Sequence, residues 1–154
     1  MASLSALETY LHAKILQPKR QVIAIQDIIR ANLRASTFSR PEGEKDVQNT
    51  LETIFRAREL EYLREGPSIR YSLKSFIPDF SFEIYNLALE VKFCNSDQKM
   101  KSLIDEINSD IPAYQTRFES ILFVIYDLGY INDEHQFRTS IERNENVFIQ
   151  IQKH

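Results

Sequence analysis

The chain has 154 residues, 43% of them hydrophobic and 27% charged, with a formal net charge of −3. That is the size and balance of one globular domain with a real core, which excludes a disordered segment and an indiscriminate polycationic nucleic-acid binder. The longest apolar run, Ile121 to Tyr126, is too short for a membrane helix, and a single cysteine, Cys94, excludes an intramolecular disulfide and a cysteine-based zinc cluster. Met1-Ala-Ser-Leu-Ser lacks the basic-then-apolar pattern of a secretory signal, so a cytoplasmic protein is expected.

The mean charge conceals a split. Residues 1–40 hold six basic residues (Lys14, Lys19, Arg20, Arg30, Arg34 and Arg40) and two acids (Glu8 and Asp27), a net +4. Residues 41–154 therefore carry −7. A basic segment of this kind either meets phosphates or packs on an acidic domain of its own chain, and composition leaves both open.

In chain order, Leu4, Leu7, Leu11 and Ile15 fall near one helical face, and Pro18 is expected to stop that helix. Val22, Ile25, Ile28, Ile29 and Leu33 mark a second helix. Ala35 to Gly43 reads as a loop, with Ser36, Ser39, Pro41 and Gly43 as breakers. It is the expected boundary between a basic helical arm, residues 1–40, and a main domain, residues 41–154. A third helix is expected from Glu44 to about Leu60, with Val47, Leu51, Ile54 and Phe55 on its buried stripe.

The period then changes from helical to alternating. After Gly66-Pro67, the sets Ile69/Tyr71/Leu73, Phe80/Phe82/Ile84 and Leu87/Leu89/Val91/Phe93 each alternate with their neighbours, predicting three strands. Ser96 or Asp97 is placed to cap a helix reaching about Phe118, bent at Pro112. The continuously apolar run Ile121–Tyr126 predicts a central strand. A helix over 133–143 and a strand carrying Val147, Ile149 and Ile151 complete an α/β domain with a mixed central sheet flanked by helices.

The second and third strands can be registered against each other. With a two-residue loop at Tyr85-Asn86, Phe80, Phe82 and Ile84 face Val91, Leu89 and Leu87, making one face wholly apolar. A slip of one residue would mix the faces. The other face then pairs Ser81 with Glu90 and Asp79 with Lys92, so two carboxylates and an ammonium gather at the open end of the hairpin. Such a trio suits phosphodiester hydrolysis. Asp79 and Glu90 can hold Mg²⁺ (with Mn²⁺ as substitute), which binds proteins through one or two carboxylates and keeps most of its waters. The ion activates water and offsets charge on the phosphorus oxygens. Lys92 can orient or deprotonate that water, or neutralise the phosphate.

Pro78-Asp79, followed by Glu90-Val91-Lys92, resembles the signature of the PD-(D/E)XK, restriction-endonuclease-like nucleases. Glu44-Lys-Asp-Val-Gln48, Pro78-Asp-Phe80, Glu90-Val-Lys92, Asp110-Ile111 with Tyr114, and Phe123–Asp127 together are similar to the branch related to GATC-cutting type II restriction enzymes. The likeness spans roughly 44–151, with no counterpart recognised for 1–40. One departure is that Ile77-Pro78 stands where that branch carries a basic residue before its aspartate. The resemblance implies a Mg²⁺-dependent DNA endonuclease serving restriction or phage defence, and a helix-borne glutamate beside the site. Glu44 lies inside the apolar stripe of its helix, about 60° from Val47, while Glu52 lies near the stripe's edge at about 140°, so Glu44 is the expected additional catalytic acid. Two strands to cut imply a homodimer.

Ordinary readings stand beside these. Glu-Val-Lys alone marks any strand with one solvated face. Asp110 lies on the apolar face of its helix, between Leu103 and Tyr114 in angle, where it could support the site from a flanking helix; two residues before Pro112, it is better read as capping a restarted helical turn. His12, His135 and His154 lack metal-ligand spacing, Glu106 and Lys101 fit a solvated face, and Cys94 fits a small buried position. Gly43, Gly66 and Gly129 are too scattered for a phosphate-cradling loop, which argues against nucleotide hydrolysis. The competing functions are an inactive nuclease-fold module that binds nucleic acid, an RNase on the same scaffold, and a module docking a protein partner through residues 1–40.

Overall fold

The computed structural model describes residues 3–154, without the side chains of residues 14–18. The start at Met1-Ala2 and the side chains of Lys14, Ile15 and Pro18 therefore lie outside the described residues.

Helix α1 runs from Leu4 to Ser36 and is capped by the Ser3 hydroxyl, which accepts from the Ala6 amide at 3.3 Å. It passes unbroken through position 18, where the sequence suggested a stop, so the two expected helices are one. Its halves differ in what they touch. Leu4, Leu7 and Leu11 are exposed, whereas Val22, Ile25, Ile29 and Leu33 are buried in the same core as the sheet. Helix α2, Glu44–Ala57, follows a short loop and buries Val47, Leu51, Ile54 and Phe55, with Glu44 and Asp46 in its first turn and Arg56 in its last, as the helix dipole favours.

The main sheet has five strands in the order β1 (Leu63–Arg64), β4 (Phe80–Phe82), β5 (Leu87–Cys94), β6 (Ser120–Asp127) and β7 (Val147–Lys153). Strand β4 pairs antiparallel with both β1 and β5, and β5, β6 and β7 run parallel to one another. The expected single strand over Ile69–Leu73 is instead a small separate hairpin, β2 (Ile69–Tyr71) with β3 (Lys74–Phe76). Its turn contains Ser72 in the left-handed region, at φ 55°. Arg64 and Leu63 pair on the outside of β4, an edge strand too short to be visible as alternation.

Helices α3 (Asp97–Gln115) and α4 (Glu134–Glu142) connect the parallel strands. Because β5–α3–β6 and β6–α4–β7 step the same way, both helices cover one face of the sheet. That face contributes Ala88, Cys94, Ile121, Phe123, Ile125, Val147 and Ile149, packed with Leu103, Ile107, Ile111, Phe137 and Ile141. The opposite face presents Phe80, Phe82, Leu87, Leu89, Val91, Phe93, Leu122, Val124 and Tyr126 to α1 and α2. Every residue of β6 is buried, as a central strand covered on both sides requires. At its end the carboxylate of Asp127 accepts from the amides of Gly129, Tyr130 and Ile131 at 2.8–3.1 Å. No described helix is long and apolar enough to cross a membrane.

The contrast between the halves of α1 is measurable by urea unfolding. Ile29→Ala should lower stability by about 2–5 kcal/mol, the cost of a cavity in a closed core, whereas Leu7→Ala should stay within about 0.5 kcal/mol.

Candidate active site

The hairpin that carries Asp79 and Glu90 differs from the register drawn from sequence. The loop is not two residues but a 3₁₀ turn, Glu83–Tyr85, closed by Asn86 at φ 50°. Phe82 pairs with Leu87, Ser81 with Ala88 and Phe80 with Leu89, a shift of two positions. An even shift preserves which side chains share a face, because the strand's side-chain period is two. Phe80, Phe82, Leu87, Leu89 and Val91 still share the buried face, but Ile84, expected among them, lies exposed in the turn. Asp79 now stands next to Glu90 rather than opposite Lys92.

Hydrogen bonds fix this arrangement. The Asp79 carbonyl accepts from the Glu65 amide at 2.9 Å, which ties the approach to β4 down against the edge strand. The Asp79 amide donates to Glu90 Oε2 at 3.3 Å, and the Val91 amide donates to Asp79 Oδ2 at 2.7 Å. Lys92, two residues along and on the same face, donates from Nζ to Glu90 Oε1 at 3.3 Å. Asp79, Glu90 and Lys92 therefore occupy one small volume.

Three further residues complete the cluster. From α2, Gln48 Nε2 donates to Asp79 Oδ1 at 2.8 Å, and Gln48 Oε1 accepts from Arg64 at 3.2 Å. From α3, Asp110 Oδ2 accepts from Lys92 Nζ at 2.8 Å, and the Tyr114 hydroxyl donates to Glu90 Oε2 at 2.9 Å. Asp110 is thus not the cap of a restarted turn: α3 continues through Pro112, and the acid faces inward to the lysine. The helical phase of Asp110 already pointed this way, and the nearby proline carried less weight against it than expected. Asp110 and Tyr114 are four apart, hence on one face, directly above the strand positions 90 and 92. Glu44, the first residue of α2, is close enough for its charge to act on both Asp79 and Lys92. Glu52 is bound instead by Arg64, Arg56 and Tyr62. Glu106 is held by Lys99 and Ser102.

Burial and mutual repulsion set the protonation of the acid pair. Burial, aided by the negative charge of Glu44, raises Asp79 to about 6, despite the Val91 amide, Lys92 and Gln48 acting the other way. Burial and the neighbouring Asp79 raise Glu90 to about 8. Burial disfavours the Lys92 ammonium, but the carboxylates of Glu90 and Asp110 outweigh it and hold the lysine above its ordinary range. Burial, then Glu90, also raises Tyr114, which remains a neutral donor. The Cys94 thiol, pushed up to about 11 by burial and by Asp127, is no nucleophile.

The donor set suits a hard divalent cation. Two adjacent carboxylates that resist ionising together are relieved by positive charge between them. No group of three or more histidine, cysteine or acidic side chains able to hold a metal is formed among the described residues. Mg²⁺, which needs only one or two carboxylates, fits that number.

A mixed sheet bearing two carboxylates and a lysine at its antiparallel hairpin, with helices on both faces, is the arrangement of a restriction-endonuclease-like core. The chain belongs to the DpnII-MboI restriction endonuclease family, whose model, REase_DpnII-MboI, matches residues 29–152. The match starts within α1, so the family's pattern extends into the segment for which sequence reading found no counterpart. No curated protein and no solved structure matches the chain.

The raised carboxyls have a thermodynamic consequence with a definite sign. A group whose pKa is higher folded than unfolded favours the folded state below its unfolded value, and that support is lost as pH rises through the folded value. Without metal, the contribution of Asp79 and Glu90 should fall between about pH 4 and about pH 8. In chelator, Glu90→Gln should melt higher than the parent at pH 8, and the two melting temperatures should converge near pH 4; equal melting at both pH values would contradict the charge repulsion.

Proposed function

We propose that the protein is a Mg²⁺-dependent endonuclease that hydrolyses DNA phosphodiester bonds in restriction or phage defence. The observation that carries this reading is the hydrogen-bonded convergence of Asp79, Glu90 and Lys92 in a chain of the restriction endonuclease family. Asp79 and Glu90 would hold the metal, with Mn²⁺ as substitute. When bound, the ion would supply an activated water and positive charge for the phosphorus oxygens.

The chain's own residues divide the remaining work. Lys92 is a cation shared between Glu90 and Asp110, so it suits neutralising phosphate charge and orienting water rather than accepting a proton. Asp110 holds the ammonium from the α3 side, and Tyr114 orients Glu90 by donating to the oxygen that also accepts from the Asp79 amide. Gln48 orients Asp79, and Glu44 adds to the negative field that attracts a cation. Because a duplex has two strands, the active species is proposed to be a homodimer acting in the cytoplasm.

The deciding assay is incubation of purified protein with supercoiled plasmid and with RNA, in Mg²⁺, Mn²⁺ or chelator. Cleavage of plasmid in either metal and none in chelator is expected. RNA cleavage alone would make the protein an RNase on this scaffold, and DNA retention without cleavage in any metal would make it an inactive binder. Lys92→Ala should abolish cleavage with unchanged far-UV circular dichroism; full activity in that variant would remove the mechanism. Asp110→Asn should leave DNA affinity near that of the parent while lowering kcat by about 10–100-fold, the range expected when a supporting group of a metal site is lost.

A further inference from the structure

The β2–β3 hairpin is not part of the main sheet, and neither core nor catalysis accounts for its outer end. Its base is anchored: Ile69 is buried in the α3-side core, and the Phe76 ring meets Tyr114 edge-on, with centroids 6.5 Å apart. Tyr114 is the residue that donates to Glu90. The strand leaving the hairpin reaches Asp79 after only Ile77 and Pro78. The hairpin is thus rooted beside the acid pair at both its contact and its exit.

The far end has a different chemistry. Leu73, in the turn, is 94% exposed, and Tyr71 is also exposed. Arg70 pairs across the hairpin with Ser75, and Tyr71 with Lys74, so the pleat puts Arg70 on one side and Lys74 on the other. Neither cation forms an ion pair among the described residues. No acidic residue lies between Glu65 and Asp79, in a chain whose residues 41–154 carry −7. An exposed leucine flanked by two free cations gains nothing for the folded monomer. It suits a polyanion whose interior is apolar.

We propose that this hairpin is a DNA-docking element, with Arg70 and Lys74 on phosphates near the scissile bond and Leu73 against the bases between them. The assignment rests on the nuclease reading above and deepens it by naming where the duplex is gripped. Anchoring through Phe76 and Tyr114 ties the grip to the side chain that positions Glu90, so the contacted phosphates are neighbours of the one cut. Apolar side chains that approach base steps from a cationic collar are a recurring way of engaging a duplex. The positive charge supplies affinity through counterion release.

The test uses the full chain and a fluorescein-labelled duplex with a central GATC, in the Lys92→Ala background so that the duplex survives. Adding Arg70→Gln and Lys74→Gln together should weaken binding at least about tenfold and make the slope of log affinity against log salt shallower by about two. Since the chain has no tryptophan, Leu73→Trp is a sole reporter, and saturating duplex should quench its emission. Circular dichroism and melting temperature should be unchanged, because all three side chains are exposed. Unchanged affinity, slope and emission, in a chain whose Lys92-containing parent binds and cuts the duplex, would overturn the hairpin assignment alone. A parent that neither binds nor cuts DNA would overturn this assignment together with the nuclease reading.

Discussion

Two carboxylates that repel each other are kept side by side at the end of an antiparallel hairpin, and most of the structure can be understood as what makes that tolerable. Asp79 and Glu90 cannot separate, because backbone pairing holds the strands from Phe80 to Phe82 against Leu87 to Leu89. They are partly buried, so water does little to screen them. What relieves the pair is a ring of donors from three elements: the Val91 amide and Lys92 of β5, Gln48 of α2 and Tyr114 of α3. A divalent ion held by Asp79 and Glu90 would relieve the same crowding of negative charge.

The layer arrangement supports that tension mechanically. Phe55 of α2 stacks edge-on against both Phe80 and Phe82, with centroids 5.2 and 5.3 Å apart, so the strand after Asp79 rests on an aromatic floor. On the other face, α3 is pinned by Leu103, Ile107 and Ile111. Its inward polar residues Asp110 and Tyr114 are thereby held at a fixed height above β5. Positions 90 and 92 are polar on a face that is otherwise core, which is affordable only because α3 answers each with a partner.

Much of this was legible in the sequence because it is encoded by periodicity. Alternation located β4 and β5 and sorted their faces, and it survived a misjudged loop because the actual register differs by an even number. The continuous apolar run marked β6 as central. What was not legible had physical reasons. Alternation over Ile69–Leu73 looks the same whether a strand joins the main sheet or folds back on Lys74–Phe76. Strand β1 has too few residues to show a period. Pro18 ordinarily ends a helix, and the backbone instead carries α1 through it. Gln48 and Tyr114 were visible only as residues, and Asp110 as an acid on an apolar helix face, but which strand each face meets is a tertiary fact that spacing within one element does not contain.

Asp127, at the far end of the central strand, is a fully buried acid, and its surroundings differ in kind from those of the pair. Three amides from the turn that follows approach its two oxygens. A carboxylate has about four lone-pair sites, and the backbone of a single turn takes three of these. Bound by fixed amides, this acid is a rivet of the fold. The pair is answered mainly by side chains, those of Gln48, Lys92 and Tyr114, which can turn where a backbone amide cannot.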